Sequence, residues 1–109
     1  MSLNSDGGKT KEEGLDRIHH VAVSVENIPS AVEWYREKFH CSVDYQDETW
    51  AQLGFANCKL ALVMKGQHPS HFGIEGQDPA RFGDIQTHRD GVRFVCLLDP
   101  FGNWVEVVG

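Results

Sequence analysis

One structural pattern occurs twice in this chain of 109 residues: an alternating strand, then a helix start, then further short strands. In the first half, residues 18–25 alternate along the strand, and Asn27 with Pro29 indicates the start of a helix. In the second half, residues 71–75 alternate in the same way, and residues 78–79 offer a similar helix start. Two copies of such a unit predict one α+β domain built from two similar modules.

Each module is predicted to have the element order βαβββ. A buried helical stripe is expected in the first module, because apolar and aromatic residues recur there at helical spacing. These residues are Ile28, Val32, Tyr35 and Phe39. Short strands are predicted at residues 42–45, 50–55 and 59–64, and in the second module at 92–98 and 104–108. The segment of residues 80–89 is short, so it is predicted to contain only one or two helical turns and a short strand.

A loop containing glycine and proline, residues 65–70, separates the two modules. The modules are therefore predicted at about 15–66 and 67–109, within one domain. Residues 1–14 are polar and have no hydrophobic period, so they are predicted to be a disordered lead-in.

Charge and composition narrow the classes of partner. With 10 Lys and Arg against 16 Asp and Glu, the formal charge is −6, and no basic cluster favours nucleic-acid binding. No apolar run approaches the roughly 20 residues of a membrane span, and no signal-peptide centre is visible. The cysteines lack disulfide or zinc-motif spacing, and Cys96 is predicted to lie in the core beside Phe94 and Leu98. We therefore expect a soluble, cytoplasmic globular domain with neither a nucleic acid nor a membrane as its partner.

Three side chains interrupt the apolar alternation of their strands. His20 and His71 occupy the same position in the two modules, and Glu106 lies between two valines of the last strand. If the sheet curls so that these faces meet, two imidazoles and a carboxylate converge, a ligand set that suits Fe(II), Mn(II), Ni(II) or Zn(II). Taken singly, each is more typical of a solvated residue on the outer face of a strand than of a metal ligand. His19 is predicted to lie on the apolar face.

Both ends of the ordered chain resemble one superfamily. Residues 20–27, HVAVSVEN, followed by the Trp-Tyr pair at 34–35, resemble the opening of vicinal oxygen chelate proteins. That superfamily includes glyoxalase I, bleomycin-resistance proteins and extradiol dioxygenases. Residues 99–106, DPFGNWVE, resemble its closing signature, Asp-Pro-x-Gly-Asn-x-x-Glu.

The resemblance implies a mixed sheet curled around a cleft, a homodimer, and a divalent metal held by His20, His71 and Glu106, with Glu106 also catalytic. If the dimer exchanges strands, His20 of one chain would meet His71 and Glu106 of the other. Ala61 aligns with Glu106 and falls where glyoxalase I and methylmalonyl-CoA epimerase carry a fourth ligand. A methyl group neither binds a metal nor moves a proton, which argues against the chemistry of glyoxalase I. Three ligands fit the fosfomycin-modifying transferases and the extradiol dioxygenases better, and the reaction could be of isomerase, lyase, oxygenase or thiol-transferase type.

The alternative is a metal-free binding protein that sequesters a flat small molecule, as bleomycin-resistance members do. Trp50 and Trp104 flank the expected site and are predicted to contact the substrate under either interpretation. Arg93, or Arg89 in the same loop, is a candidate for binding an anionic group, although a surface turn explains both equally well.

Overall fold

The computed structural model describes residues 14–76, 78–88 and 91–109. The predicted lead-in falls outside these ranges, apart from Gly14. The first module contains β1 (Arg17–Val25), α1 (Ile28–Lys38), β2 (Ser42–Gln46), β3 (Trp50–Gly54) and β4 (Lys59–Met64). The second contains β5 (His71–Glu75), a 3-10 helix (Pro79–Arg81), β6 (Gln86–Thr87), β7 (Arg93–Leu98) and β8 (Trp104–Val108). The predicted α+β class and the order of elements are confirmed.

The helix α1 begins where the sequence predicts. The Asn27 side chain accepts a hydrogen bond from the Ser30 backbone N–H at 2.8 Å, which caps the first turn. Ile28 and Val32 of the predicted stripe are buried against the sheet. Phe39 differs from the prediction: it follows the last helical residue in an extended conformation and is half-exposed.

The second module replaces this helix with a single 3-10 turn. Asp78 caps the turn by accepting a hydrogen bond from the Ala80 backbone N–H at 3.1 Å. The following strand β6 has only two residues, as expected from the shortness of the segment of residues 80–89.

All eight strands of the described ranges form one curled sheet in the order β2-β3-β4-β1-β5-β8-β7-β6. Within each module, the first strand pairs in parallel with the last, as β1 with β4 and β5 with β8. The antiparallel pair β1–β5 joins the modules at the centre of the sheet. The two parallel pairs have the same register, so Ala61 of β4 and Glu106 of β8 occupy equivalent positions.

The two faces of the sheet have different neighbours. On one face, Leu53 and Leu62 pack with Ile28 of α1 in the larger core cluster. On the other face, Ala22 and Ala61 are buried beside the cavity of the curled sheet.

The interpretation of Cys96 as a core residue is wrong. Its partner across the β7–β8 pair is Glu106, which faces the cavity, and the thiol is exposed at the edge of that face. Phe94 is buried as predicted, whereas Leu98 is 56% exposed. The alternating side chains of β7 therefore face the concave side of the sheet and do not pack into a closed core.

Within the described residues, none of the helices has the length and apolar character needed to cross a membrane.

Leu62 provides a test of the larger core. Its side chain is fully buried beneath α1, so Leu62→Ala should lower the free energy of unfolding by about 2–5 kcal/mol through lost burial and a cavity. The matched change Leu15→Ala removes a side chain that is 63% exposed and should cost less than about 1 kcal/mol. Urea denaturation of both variants measures the difference, and equal costs would contradict the assigned core.

Candidate metal centre

A β-bulge places two consecutive histidines at the cavity. The register of the β1–β5 pair shifts between Ile18 and His20, so the chain carries one extra residue at this point. As a result, both His19 and His20 line the cavity, and their Nδ1 atoms lie 2.8 Å apart. The prediction that His19 lies on the apolar face is therefore wrong, because the bulge interrupts the strict alternation on which it depended.

The three predicted ligands meet in one place. His20 Nε2 lies 3.2 Å from His71 Nε2 and 3.4 Å from Glu106 Oε1, and all three ligand atoms lie within 4.8 Å of one another. Two ligands each about 2.1 Å from a common ion stand about 3.0–3.4 Å apart at tetrahedral to octahedral angles. The group could therefore hold a metal ion, and all its members belong to a single chain.

Hydrogen bonds outside the group orient both imidazoles. His71 Nδ1 donates to the Pro69 carbonyl at 2.9 Å, and because that oxygen can only accept, the Nε2 lone pair of His71 faces the centre. The His20 ring is oriented in a similar way, since its Nδ1 contacts His19 Nδ1 at 2.8 Å and its Nε2 points toward His71 Nε2.

The carboxylate is oriented by a histidine that the sequence patterns did not single out. His88 Nε2 donates to Glu106 Oε2 at 2.9 Å, which leaves Oε1 directed at His20. The His88 ring also stacks on Phe94, with the ring centroids 3.7 Å apart and the planes 9° from parallel. His88 is therefore held on one side by an aromatic ring while it fixes one oxygen of Glu106.

Burial and neighbouring charges set the protonation states of the two most buried ligands. Burial lowers the pKa of His20 to about 4, against the opposing effect of Glu106, so the imidazole is neutral at neutral pH. Burial raises the pKa of Glu106, but the His88 hydrogen bond and the nearby imidazoles outweigh it, so the pKa is lowered overall. Neutral imidazole and ionised carboxylate are the forms that bind metals.

The main cavity has a volume of about 470 Å³ and is unusually rich in histidine. Five of the six histidines in the chain line it. They are His19, His20, His68, His71 and His88. Periodicity in the sequence identified only His20 and His71, which lie in regularly alternating strands, because His68 and His88 lie in loops. Among the residues that the structure describes, no lysine or arginine lines this cavity.

The aromatic wall of the cavity is held rigidly. Trp50 stacks on Tyr45, with centroids 4.6 Å apart, and the Tyr45 hydroxyl donates to Asp47 at 2.6 Å. That hydrogen bond and those from Thr49 and the Trp50 backbone hold the pKa of Asp47 well below its usual range. Trp50 thus offers a fixed flat surface to a ligand.

The other predicted substrate-binding residues lie elsewhere. Trp104 lines a second, smaller cavity of about 290 Å³ that also borders His71 and Glu106. Arg93 is exposed at the start of β7 and lines neither of these two cavities. Arg89 is outside the described residues.

Gly73 makes room for His20. It lies directly across the β1–β5 pair from His20 and beside Glu106 in the β5–β8 pair. A methyl group at this position would overlap the His20 imidazole, while the backbone conformation itself is accessible to any residue. The absence of a side chain therefore lets the imidazole lie over the backbone of β5.

One of the comparisons with known proteins, the one with solved structures, shows the fold of this chain. No protein-family model and no curated protein matches the sequence. A solved structure of methylmalonyl-CoA epimerase with methylmalonyl-CoA and NH4+ matches with a TM-score of 0.69 and 18% identity, covering 87% of this chain and 94% of that one. This match shows that the chain has the same fold as that epimerase, as expected from the resemblance of the two terminal motifs.

Two further structures match with a TM-score of 0.41 each. One is a lactoylglutathione lyase from Agrobacterium tumefaciens, 20% identical, with 84% of this chain and 91% of that chain covered. The other is a glyoxalase/bleomycin resistance protein/dioxygenase from Alicyclobacillus acidocaldarius, 19% identical, with 84% and 89% covered.

The contact between Gly73 and His20 can be tested by a double-mutant cycle. Gly73→Ala should lower the free energy of unfolding by about 1–3 kcal/mol, because the added methyl group must displace a buried imidazole. In a His20→Ala background the same change should cost much less, since the ring is gone. Urea denaturation in the presence of a chelator measures both steps. An equal cost in the two backgrounds would show that another contact limits position 73.

Proposed function

We propose that this protein is a metal-dependent enzyme of the vicinal oxygen chelate type, acting on a small molecule through two neighbouring oxygen atoms. The observation that carries the proposal is the convergence of His20 Nε2, His71 Nε2 and Glu106 Oε1, each paired on its outer side with a hydrogen-bonding partner. Solvated residues on the outer face of a sheet have no reason to be arranged in this way.

The ligand chemistry suits Fe(II), Mn(II), Ni(II) or Zn(II). When bound, such an ion would act as a Lewis acid that polarises the two substrate oxygens and stabilises developing negative charge. The chain's own residues orient the ligands and exclude water: His20 and Glu106 are 6% and 5% exposed. Trp50 positions a flat part of the substrate against one wall of the cavity.

Ala61 determines how many protein ligands the site offers. It lies at the position equivalent to Glu106, is buried at the cavity wall, and contributes only a methyl group. At an octahedral ion, three protein ligands would leave three coordination positions: two for a bidentate substrate and one for water or a second reactant. We propose Glu106 as the catalytic carboxylate because its ligand oxygen borders the place where the substrate oxygens would lie.

We also propose that the protein acts as a cytoplasmic homodimer, as the family resemblance implies. His20, His71 and Glu106 lie in one chain, so exchange of strands between protomers is not required to complete the site. Light scattering combined with metal analysis after dilution to monomer tests this arrangement.

Metal analysis tests the ligand set. Protein purified without chelator or an affinity metal, or reconstituted with each of the four ions, should hold about one ion per chain. His20→Ala, His71→Ala and Glu106→Gln should each weaken binding at least about 100-fold, because each removes a ligand atom. The control His40→Ala removes the histidine outside the cavity lining and should leave binding unchanged. Wild-type protein that binds no ion under any of these conditions would support the metal-free binding protein instead.

The role of His88 is tested separately. His88→Ala removes the hydrogen bond to Glu106 Oε2 and should lower metal affinity by about 10–100-fold. His88→Gln can donate through its amide and should recover part of the loss. Competition with a chromogenic chelator measures the affinities, with urea denaturation as a check on folding. Unchanged affinity in His88→Ala would rule out a role in orienting the carboxylate.

A further inference from the structure

The smaller cavity adjoins the candidate metal centre. It shares His71 and Glu106 with the main cavity, together with Gln67 and His68 of the loop between the modules. The two cavities therefore lie next to each other, and a molecule held at His71 and Glu106 would border both of them.

The remaining lining of this smaller cavity is apolar. It consists of Pro69, Cys96, Trp104 and Val105. The register explains why these side chains border the ligands, since Trp104 pairs with His71 across β5–β8 and Cys96 pairs with Glu106 across β7–β8. The main cavity, in contrast, has a wall of histidines and polar side chains beside Trp50.

The mouth of the smaller cavity exposes large apolar side chains. Trp104 is 39% exposed, and Leu98, which pairs with it across β7–β8, is 56% exposed. Neighbouring exposed apolar side chains at the rim of a cavity are typical of a surface that a ligand covers. Their continuity with the metal ligands indicates that the ligand is the substrate itself.

We propose that the smaller cavity is a tail-binding lobe, and that the substrate is an amphipathic small molecule with two neighbouring oxygens at its head and an uncharged apolar tail. The head binds at His20, His71 and Glu106, and the tail lies along Trp104 and over the Cys96 thiol. This inference rests on the proposed function, because the metal fixes the position of the head. The described lining of both cavities contains no lysine or arginine, which agrees with a tail that carries no anionic group.

A series of alkyl hydroxamates tests the lobe, because each binds a metal through two oxygens and differs only in tail length. Calorimetry on the metal-reconstituted protein should give affinities that rise by up to about fourfold for each methylene from acetohydroxamate to octanohydroxamate. Trp104→Ala should remove most of this dependence on length while leaving acetohydroxamate binding within about twofold of wild type. Trp34→Ala, an exposed tryptophan on α1, serves as the matched control and should keep the full dependence.

A second measurement needs no variant. Octanohydroxamate should slow the alkylation of Cys96 by iodoacetamide at least about tenfold, acetohydroxamate should slow it far less, and Cys41 should react equally in all samples. Peptide mass spectrometry reports the two thiols separately, and the experiment is run with and without metal.

The outcomes separate the two proposals. If acetohydroxamate does not bind but octanohydroxamate protects Cys96, the lobe is supported and the metal role is overturned. If acetohydroxamate binds but affinity does not depend on tail length, the lobe is overturned and the metal role is supported. Length dependence that survives in Trp104→Ala, or the absence of Cys96 protection both with and without metal, also overturns the lobe.

Discussion

The antiparallel pairing of β1 with β5 is the constraint on which the candidate site depends. It joins the two modules into one sheet and sets His20 across from Gly73, two residues from His71. The parallel pairing of β5 with β8 then places Glu106 beside Gly73. A shift of this register by one residue would turn His20 toward the opposite face of the sheet and separate it from both partners. The absence of a side chain at position 73 and the bulge before His20 are therefore parts of the same local arrangement.

The candidate site lowers the stability of the fold. A carboxylate and an imidazole buried to this degree lose hydration worth several kcal/mol, which only close partners can offset. His88 partly offsets it for Glu106 and His19 for His20, yet both ligands still direct one polar atom into the cavity. A core built only for stability would fill this space with apolar side chains, as Ala22, Ala61 and Val63 do next to it. The polar atoms that point inward are the part of the structure that packing alone does not explain.

The sequence predicts which side chains converge in the cavity better than it predicts their surroundings. His20, His71 and Glu106 can be found because each breaks a period of two in a regular strand, and the two terminal motifs agree with that pattern. Ala61 is aligned with Glu106 correctly because the modules repeat. His19 is misplaced because a bulge adds one residue to β1 without any residue type that marks it. Sequence patterns do not identify His88, because it lies in a loop without any periodic pattern. Its role also depends on tertiary contacts with Phe94 and Glu106.

The two modules repeat one another in topology, but they differ at the positions that face the cavity. Ala61 occupies the position that Glu106 has in the second module. Trp50, opposite Val63, likewise occupies the position that Phe94, opposite Val108, has in the second module. A cavity with identical halves would accept a substrate equally well after a half-turn about the axis that relates the modules. This cavity has a carboxylate on one half and a bare methyl group on the other, so the two orientations differ in energy. The difference between the modules therefore makes the two ends of the cavity chemically distinct, so that a bound molecule would have one preferred end-to-end orientation.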